Sequence, residues 1–273
     1  MNILTFLYIT AGIGLVWISA QKLEKYSVLT AVRYGMSPFL IGSTVIAFGT
    51  SAPEMLTSLF AAFENKAVMV VGNVIGSNIA NIGLVLGVTA LVCPLQIKSS
   101  VLKFEYPLMV SGLLLATFLM LDQKIGYLDG TLMILGLFIL LSVMVVVGNR
   151  SALSNASLDE VCLTPEKKSN TGLKKAVFWF VAGLVLLLSG SEFLVKGAVF
   201  VARYIGVTDV FIGLTIVAVG TSLPELAASL AGAFKKETDL AIGNVIGSNL
   251  FNALGVVAMP TEKQRNCKTQ QII

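Results

Sequence analysis

Residues 49–54, Gly-Thr-Ser-Ala-Pro-Glu, recur almost unchanged at 220–225 as Gly-Thr-Ser-Leu-Pro-Glu. A second block at 72–78, Gly-Asn-Val-Ile-Gly-Ser-Asn, is also repeated in full. A gap-free alignment of 42–81 with 213–252 has 20 identities in 40 positions. The shared residues are mostly small or polar, so an apolar composition alone does not account for the repetition. The chain is therefore built from two related halves.

The composition indicates that lipid surrounds the chain. Hydrophobic residues make up 56% and charged residues 12%, whereas a soluble domain carries about 25% charged residues. The net charge of +4 is too small and dispersed to predict nucleic-acid binding, and the absence of histidine excludes a histidine-ligated zinc site. Cys93, Cys162 and Cys267 match no metal or redox spacing and are interpreted as unpaired thiols.

Runs of about 17–25 apolar residues predict membrane-spanning helices. Eight spans are predicted, at roughly 3–20, 38–63, 67–92, 104–121, 127–148, 174–198, 209–234 and 238–259. We interpret the first as a retained helix and not a signal peptide, because Lys22 and Lys25 follow it and no basic residue precedes it. The prediction is an all-α polytopic membrane protein.

The span count sets the relative orientation of the two copies. The first copy begins in the second span and its repeat begins in the seventh, five crossings later. An odd offset predicts inverted-topology repeats, as in many secondary transporters. The predicted organisation is a first five-helix repeat at 1–148, a linker at 149–173, an incomplete second repeat of three helices at 174–259 and a polar tail at 260–273.

The distribution of basic residues predicts the orientation in the membrane. Alternating spans place twelve lysine and arginine residues on the side of the long linker and seven on the opposite side. The positive-inside rule then places the N-terminus outside and the linker in the cytoplasm of a cell membrane. Apart from the lipid bilayer and transported ions, no nucleic-acid or protein partner is predicted.

Two glutamates lie near the centres of predicted spans. Pro53 and Pro224 interrupt these helices, because a helical proline lacks an N–H and crowds the carbonyl four residues earlier. Each proline precedes a glutamate, Glu54 or Glu225, and such acids in membrane helices normally face a partner, a cavity or an ion pathway. With no central lysine or arginine, the pair supplies a charge of −2 for cations. The alternatives are packing kinks and protonated structural glutamates.

Further polar residues surround the glutamates in the sequence. Thr50 and Ser51 precede Glu54 by four and three residues, so all three share one helix face. Residues of the second block, spaced four apart, form a polar stripe on each half: Asn73, Ser77, Asn81, and Asn244, Ser248, Asn252. Their oxygens suit Na⁺ and Ca²⁺. Packing between helices is the competing interpretation for Asn73, Asn78, Asn244 and Asn249.

These paired motifs resemble the two α-repeats of the cation/Ca²⁺ exchanger superfamily, in particular its prokaryotic Na⁺/Ca²⁺ antiporters. The resemblance implies ten helices in two inverted groups of five, exchange of Na⁺ for Ca²⁺ by alternating access, and no cofactor beyond the transported ions. It also implies ten ion ligands: Thr50, Ser51, Glu54, Ser77, Asn81, Thr221, Ser222, Glu225, Ser248 and Asn252. Because the chain turns polar after 259, about eight of the ten helices are expected, as in a truncated reading frame.

Three functional hypotheses follow. The leading one is Na⁺-driven Ca²⁺ antiport at the two glutamates. The second is a cation/H⁺ antiporter that uses the same residues as proton carriers, and the third is an inactive, incomplete exchanger. No enzyme is predicted, since an intramembrane aspartyl protease would need a central pair of aspartates.

Overall fold

The computed structural model describes residues 3–33, 36–64, 67–121, 126–155, 173–208, 216 and 218–258. Within these ranges the chain is helical and contains no β-strand, as the sequence predicts. Cys93 is a free thiol. The other two cysteines, the predicted tail and most of the predicted linker lie outside the described residues.

The helices follow the predicted order of spans. The first half comprises α1 (Ile3–Arg33), α2 (Pro38–Ile41), α3 (Ala47–Thr50), α4 (Ala52–Phe63), α5 (Ala67–Ala80), α6 (Gly87–Val92), α7 (Tyr106–Leu119) and α8 (Tyr127–Asn155). The second half comprises α9 (Leu173–Tyr204), α10 (Ala218–Thr221), α11 (Leu223–Phe234) and α12 (Thr238–Leu250). Wider π-helical turns connect or extend several of them: π1 (Gly42–Ile46), π2 (Asn81–Leu86), π3 (Val101–Glu105) and π4 (Phe251–Val256).

Six of the predicted spans coincide with segments that are long and apolar enough to cross a membrane. Five are single stretches: Thr5–Leu29, Met69–Val92, Val101–Leu119, Tyr127–Val147 and Lys174–Tyr204. The sixth is a bent pair, Pro38–Thr50 and Ala52–Phe63, whose axes differ by 43°. Helix α8 continues to Asn155, beyond the predicted span end at 148, because no proline or glycine interrupts 149–155.

The last predicted span corresponds to α12 and π4, which lie inside the protein. Every residue from Leu240 to Ala258 is buried, against α2, π1, α7, α8 and α11. Gly243 and Gly247 allow this close packing: a Cβ built on Gly247 would lie 2.1 Å from the Ser43 carbonyl oxygen. Since protein surrounds this segment, its polar residues do not contact lipid.

The equivalent helix of the first half, α5, has a different environment. Ile75 and Ile79 are exposed, and nothing lies within 4 Å of a Cβ built on Gly72 or Gly76. Helix α7 packs on α12, and both α7 and α8 pack on π4. No second-half counterpart of α7 and α8 covers α5 within the described ranges. The two copies of the repeat are therefore similar in sequence but unequal in burial.

Candidate cation site

The repeated Ser-x-Pro-Glu sequence breaks a helix in each half. Ser51 (φ −78°, ψ 5°) separates α3 from α4, and Ser222 (φ −88°, ψ 5°) separates α10 from α11. In both cases a proline occupies the first turn of the following helix and the glutamate lies in that same turn. The break predicted from Pro53 and Pro224 is confirmed at the preceding serines.

The two halves bring their glutamates into one buried cluster. Glu54 and Glu225 are each 0% exposed and are close enough to interact electrostatically. The Ser51 hydroxyl, three residues before Glu54, donates a hydrogen bond to Glu225 Oε1 at 3.2 Å. The Thr50 and Thr221 side chains also lie beside the carboxylate of the opposite half. The acids therefore share one site between the repeats.

Among the described residues, buried side-chain oxygens without a hydrogen-bond partner are concentrated at this site. Seven of them belong to predicted ligands: Glu54 Oε1, Glu54 Oε2, Glu225 Oε2, Asn81 Oδ1, Asn252 Oδ1, Ser222 Oγ and Ser248 Oγ. Buried polar atoms normally have partners, because leaving them unpaired costs about 1–3 kcal/mol and more for charged groups. Within the part of the chain that the structure describes, no lysine or arginine forms an ion pair with either carboxylate. The arrangement suits a bound cation.

Three of the remaining predicted ligands, Ser77, Asn81 and Asn252, form hydrogen bonds between the two halves. Asn252 Nδ2 donates to Ser77 Oγ at 3.0 Å, and Asn81 Nδ2 donates to Asn249 Oδ1 at 3.3 Å. Both asparagine amides thus direct their donors to neighbouring side chains and leave their Oδ1 atoms available. Nine of the ten predicted ligands are buried and Thr221 is half-buried, so none of them is exposed at the protein surface.

Asn73 and Asn244 support the backbone of the glutamates. Asn73 Nδ2 donates to the Glu54 carbonyl at 3.1 Å and to Ser58 Oγ at 2.9 Å. Asn244 Nδ2 makes the equivalent bonds to the Glu225 carbonyl at 3.2 Å and to Ser229 Oγ at 3.1 Å. These contacts agree with the helix-packing interpretation of the two asparagines.

Sequence reasoning missed the serines that complete these contacts. Ser58 and Ser229 are buried and occupy equivalent positions of the repeat. Their identity in the internal alignment was the available signal. Asn244 Oδ1 also accepts a hydrogen bond from Thr50 Oγ1 at 3.2 Å, which joins the second-half asparagine to the first-half site.

A cavity of about 440 Å³ adjoins the site. We call it the site cavity; its lining includes Pro53, Gly220, Thr221, Pro224 and Glu192. Thr221, Pro53 and Pro224 connect it to the helix breaks that hold the glutamates. The rest of its lining is largely apolar, and the few polar side chains include Thr221, Ser191 and Glu192. Irregular backbone and acidic residues at membrane depth are tolerated where they face a cavity or other protein.

The chain is similar to known membrane exchangers over nearly its whole length. The family model described as sodium/calcium exchanger protein matches residues 4–147 and 175–261. A protein named as an antiporter, CaxA of Alkalimonas amylolytica, is 41% identical over 261 residues, which cover 96% of this chain and 81% of that protein. Sodium/calcium exchanger MaX1 of Methanosarcina acetivorans is 29% identical over 290 residues, covering 95% and 83%.

Solved structures share the fold. The sodium-calcium exchanger NCX_Mj, soaked with zero Na⁺ and Ca²⁺, has a TM-score of 0.82 and 32% sequence identity, and the match covers 96% of this chain and 82% of that one. This similarity and the family match confirm the predicted resemblance and the transporter fold. The chain belongs to the sodium/calcium exchanger protein family.

Proposed function

We propose that this chain exchanges Na⁺ for Ca²⁺ across the membrane by alternating access, at a site centred on Glu54 and Glu225. The supporting observation is the set of buried oxygens, contributed by both repeats, that have no hydrogen-bond donor. Ca²⁺ takes about six to eight oxygen ligands, and two carboxylates offset its charge. The ten predicted ligands are proposed to hold the transported ions.

Competition for the same oxygens couples the two ions. One Ca²⁺ or more than one Na⁺ neutralises the carboxylates, so the site binds one kind of load at a time. An empty site leaves two neighbouring carboxylates buried and uncompensated, which is unfavourable. Reorientation is therefore favoured when the site is loaded, and the fluxes of the two ions are linked.

Ion flux into proteoliposomes tests the coupling. The purified chain is reconstituted with Na⁺ inside, and ⁴⁵Ca²⁺ uptake is measured after dilution into Na⁺-free buffer. We expect uptake that depends on the Na⁺ gradient and persists when an ionophore collapses any pH gradient. Uptake driven by a pH gradient and indifferent to Na⁺ would favour the cation/H⁺ antiporter, and absence of any Ca²⁺ flux would favour the inactive form.

Charge-removing substitutions test the site itself. Glu54→Gln and Glu225→Gln keep the side-chain shape, and each is expected to reduce ⁴⁵Ca²⁺ uptake to the level of empty liposomes. Glu64→Gln is the matched control, because Glu64 is exposed at the end of the same helix as Glu54. Full uptake by either site variant would contradict the assignment.

We also propose that the N-terminus faces outside, as the distribution of basic residues predicts. Cys93 follows α6 and is then on the cytoplasmic side. A Cys162→Ser, Cys267→Ser variant retains this thiol alone. A membrane-impermeant maleimide should label it in everted vesicles and leave it unlabelled in intact cells; the reverse pattern would contradict the orientation.

A further inference from the structure

The internal repeat creates a second cavity at the position equivalent to the site cavity. This apolar cavity, of about 360 Å³, lies between α1, α9 and α11. Several lining residues of the two cavities occupy equivalent positions when the offset of the internal alignment is continued along each half. With the site-cavity residue first, the pairs are Leu56 and Ala227, Phe60 and Ala231, Leu188 and Trp17, Ser191 and Ala20, and Glu192 and Gln21. The two cavities are thus related as the two repeats are related.

The two cavities differ in their access to the ion site. The site cavity includes Thr221, a proposed ligand, and both prolines of the helix breaks. None of the described residues that line the apolar cavity belongs to the proposed ion site. Trp17 occupies the position equivalent to Leu188 and makes the apolar side bulkier. Of the two equivalent cavities, only the site cavity is therefore lined by a proposed ligand among the described residues.

One lining residue of the apolar cavity takes part in an ion pair. Lys235, which lines it, pairs with Glu24 Oε2. The Glu24 side chain is 5% exposed and the Lys235 side chain 42% exposed, so the carboxylate is held in the interior. Lys235 follows the last residue of α11, where a positive charge also interacts favourably with the helix dipole. The pair therefore fastens α1 to the helix that carries Glu225.

This ion pair has no equivalent at the site cavity. The internal alignment matches Lys235 with Glu64, and the same offset continued into α1 and α9 matches Glu24 with Val195. Valine cannot form an ion pair, and Glu64 carries the opposite charge to Lys235. Conversely, the site cavity carries Glu192, which pairs with Lys196 on its own helix at 2.6 Å and bridges no two helices. An ion pair between these two positions of the repeat is therefore possible in one half only, because the other half has Val195 in place of Glu24.

We infer that the Glu24–Lys235 ion pair is a one-sided latch that sets which cavity the ion site faces. In the described conformation the pair keeps α1 against α11 and holds the apolar side closed. Exposure of the site to that side requires α1 and α11 to separate, which breaks the pair. The inference rests on the proposed alternating access. Glu24 and Lys235 are then the residues that favour the conformation in which the ion site faces the site cavity.

Cysteine accessibility measures this bias without any transport. In a background with the native cysteines replaced by serine, Ala227→Cys reports the apolar cavity and Leu56→Cys reports the site cavity. Rates of modification by a small water-soluble maleimide are compared with and without Glu24→Gln or Lys235→Met. We expect each change to increase the rate at position 227 about tenfold, within the range of about 5- to 150-fold typical of conformational coupling, and to lower it at position 56.

Two further variants separate the latch from a general structural defect. Lys236→Met removes the same charge from the neighbouring exposed residue and should leave both rates unchanged. The double exchange Glu24→Lys, Lys235→Glu restores an ion pair and should return both rates toward those of the unaltered chain. Unchanged rates in Glu24→Gln and Lys235→Met would overturn the inference, as would equal effects of Lys236→Met. Because no flux is measured, failure of the latch is distinguishable from failure of Na⁺/Ca²⁺ exchange.

Discussion

Gly247→Ala and Gly76→Ala change the same residue of the repeat in two different environments. A Cβ at position 247 would lie 2.1 Å from the carbonyl oxygen of Ser43 and 2.6 Å from its carbonyl carbon and Cα. At position 76 no heavy atom lies within 4 Å. A substitution that the sequence presents as equivalent is therefore expected to have unequal effects.

The expected loss of stability follows from the contact between position 247 and the Ser43 backbone. The three Ser43 atoms belong to the backbone, so a side-chain rotation cannot relieve the clash. Ordinary contact begins near 3.4 Å, so α12 and π1 must separate by about 1 Å or more. Overpacking of a protein interior costs about 1–3 kcal/mol, and a backbone clash belongs at the upper end. We expect Gly247→Ala to destabilise by about 3 kcal/mol and Gly76→Ala by less than about 0.5 kcal/mol.

Unfolding of the purified proteins in mixed detergent micelles measures the difference. Denaturation midpoints, followed by helical circular dichroism, should fall for Gly247→Ala and stay unchanged for Gly76→Ala. Because Ser248 and Asn244 lie on the same helix as Gly247, the first variant should also lose Ca²⁺ affinity. Equal midpoints for the two variants would refute the proposed close contact between α12 and π1.

Two further predictions concern single contacts. Asn244→Ala removes the donors to the Glu225 carbonyl and Ser229 Oγ. We expect the Ca²⁺ concentration that gives half-maximal uptake to rise about 10- to 100-fold, as for other groups that position metal ligands. An unchanged concentration would contradict this role. Lys98→Met removes an ion pair of 2.5 Å with Asp239 in which Lys98 is 62% exposed. It should change stability by less than about 1 kcal/mol, and less in high salt, as thermal unfolding at two salt concentrations would show.

Several features of the fold and site could be predicted because they depend on local sequence. A proline in a helix interior removes a hydrogen bond and crowds the preceding turn, so the breaks near Pro53 and Pro224 were predictable. Polar and acidic residues repeated in an apolar chain are costly in lipid, so they marked the elements that face the interior. The family resemblance rested on these same residues.

The tertiary structure decided how each predicted residue is used. Ser51 donates to Glu225, whereas the Oγ of the equivalent Ser222 has no hydrogen-bond partner among the described residues. Asn78 and Asn249 also differ, since Asn249 is fully buried and bonded to Asn81 whereas Asn78 Oδ1 has no partner. Equivalent residues acquire different contacts because the surrounding elements come from opposite, unequal halves.

The sequence by itself determined the helical class, the two-fold repetition, the positions of the helix breaks and the acids that follow them. Each of these follows from backbone stereochemistry or from the cost of polar groups in lipid, both of which act on residues close together in the chain. The pairing of Glu24 with Lys235, the exposed face of α5 and the cavity beside Thr221 depend on residues far apart in the sequence. Only the packing of the two halves against each other decided them.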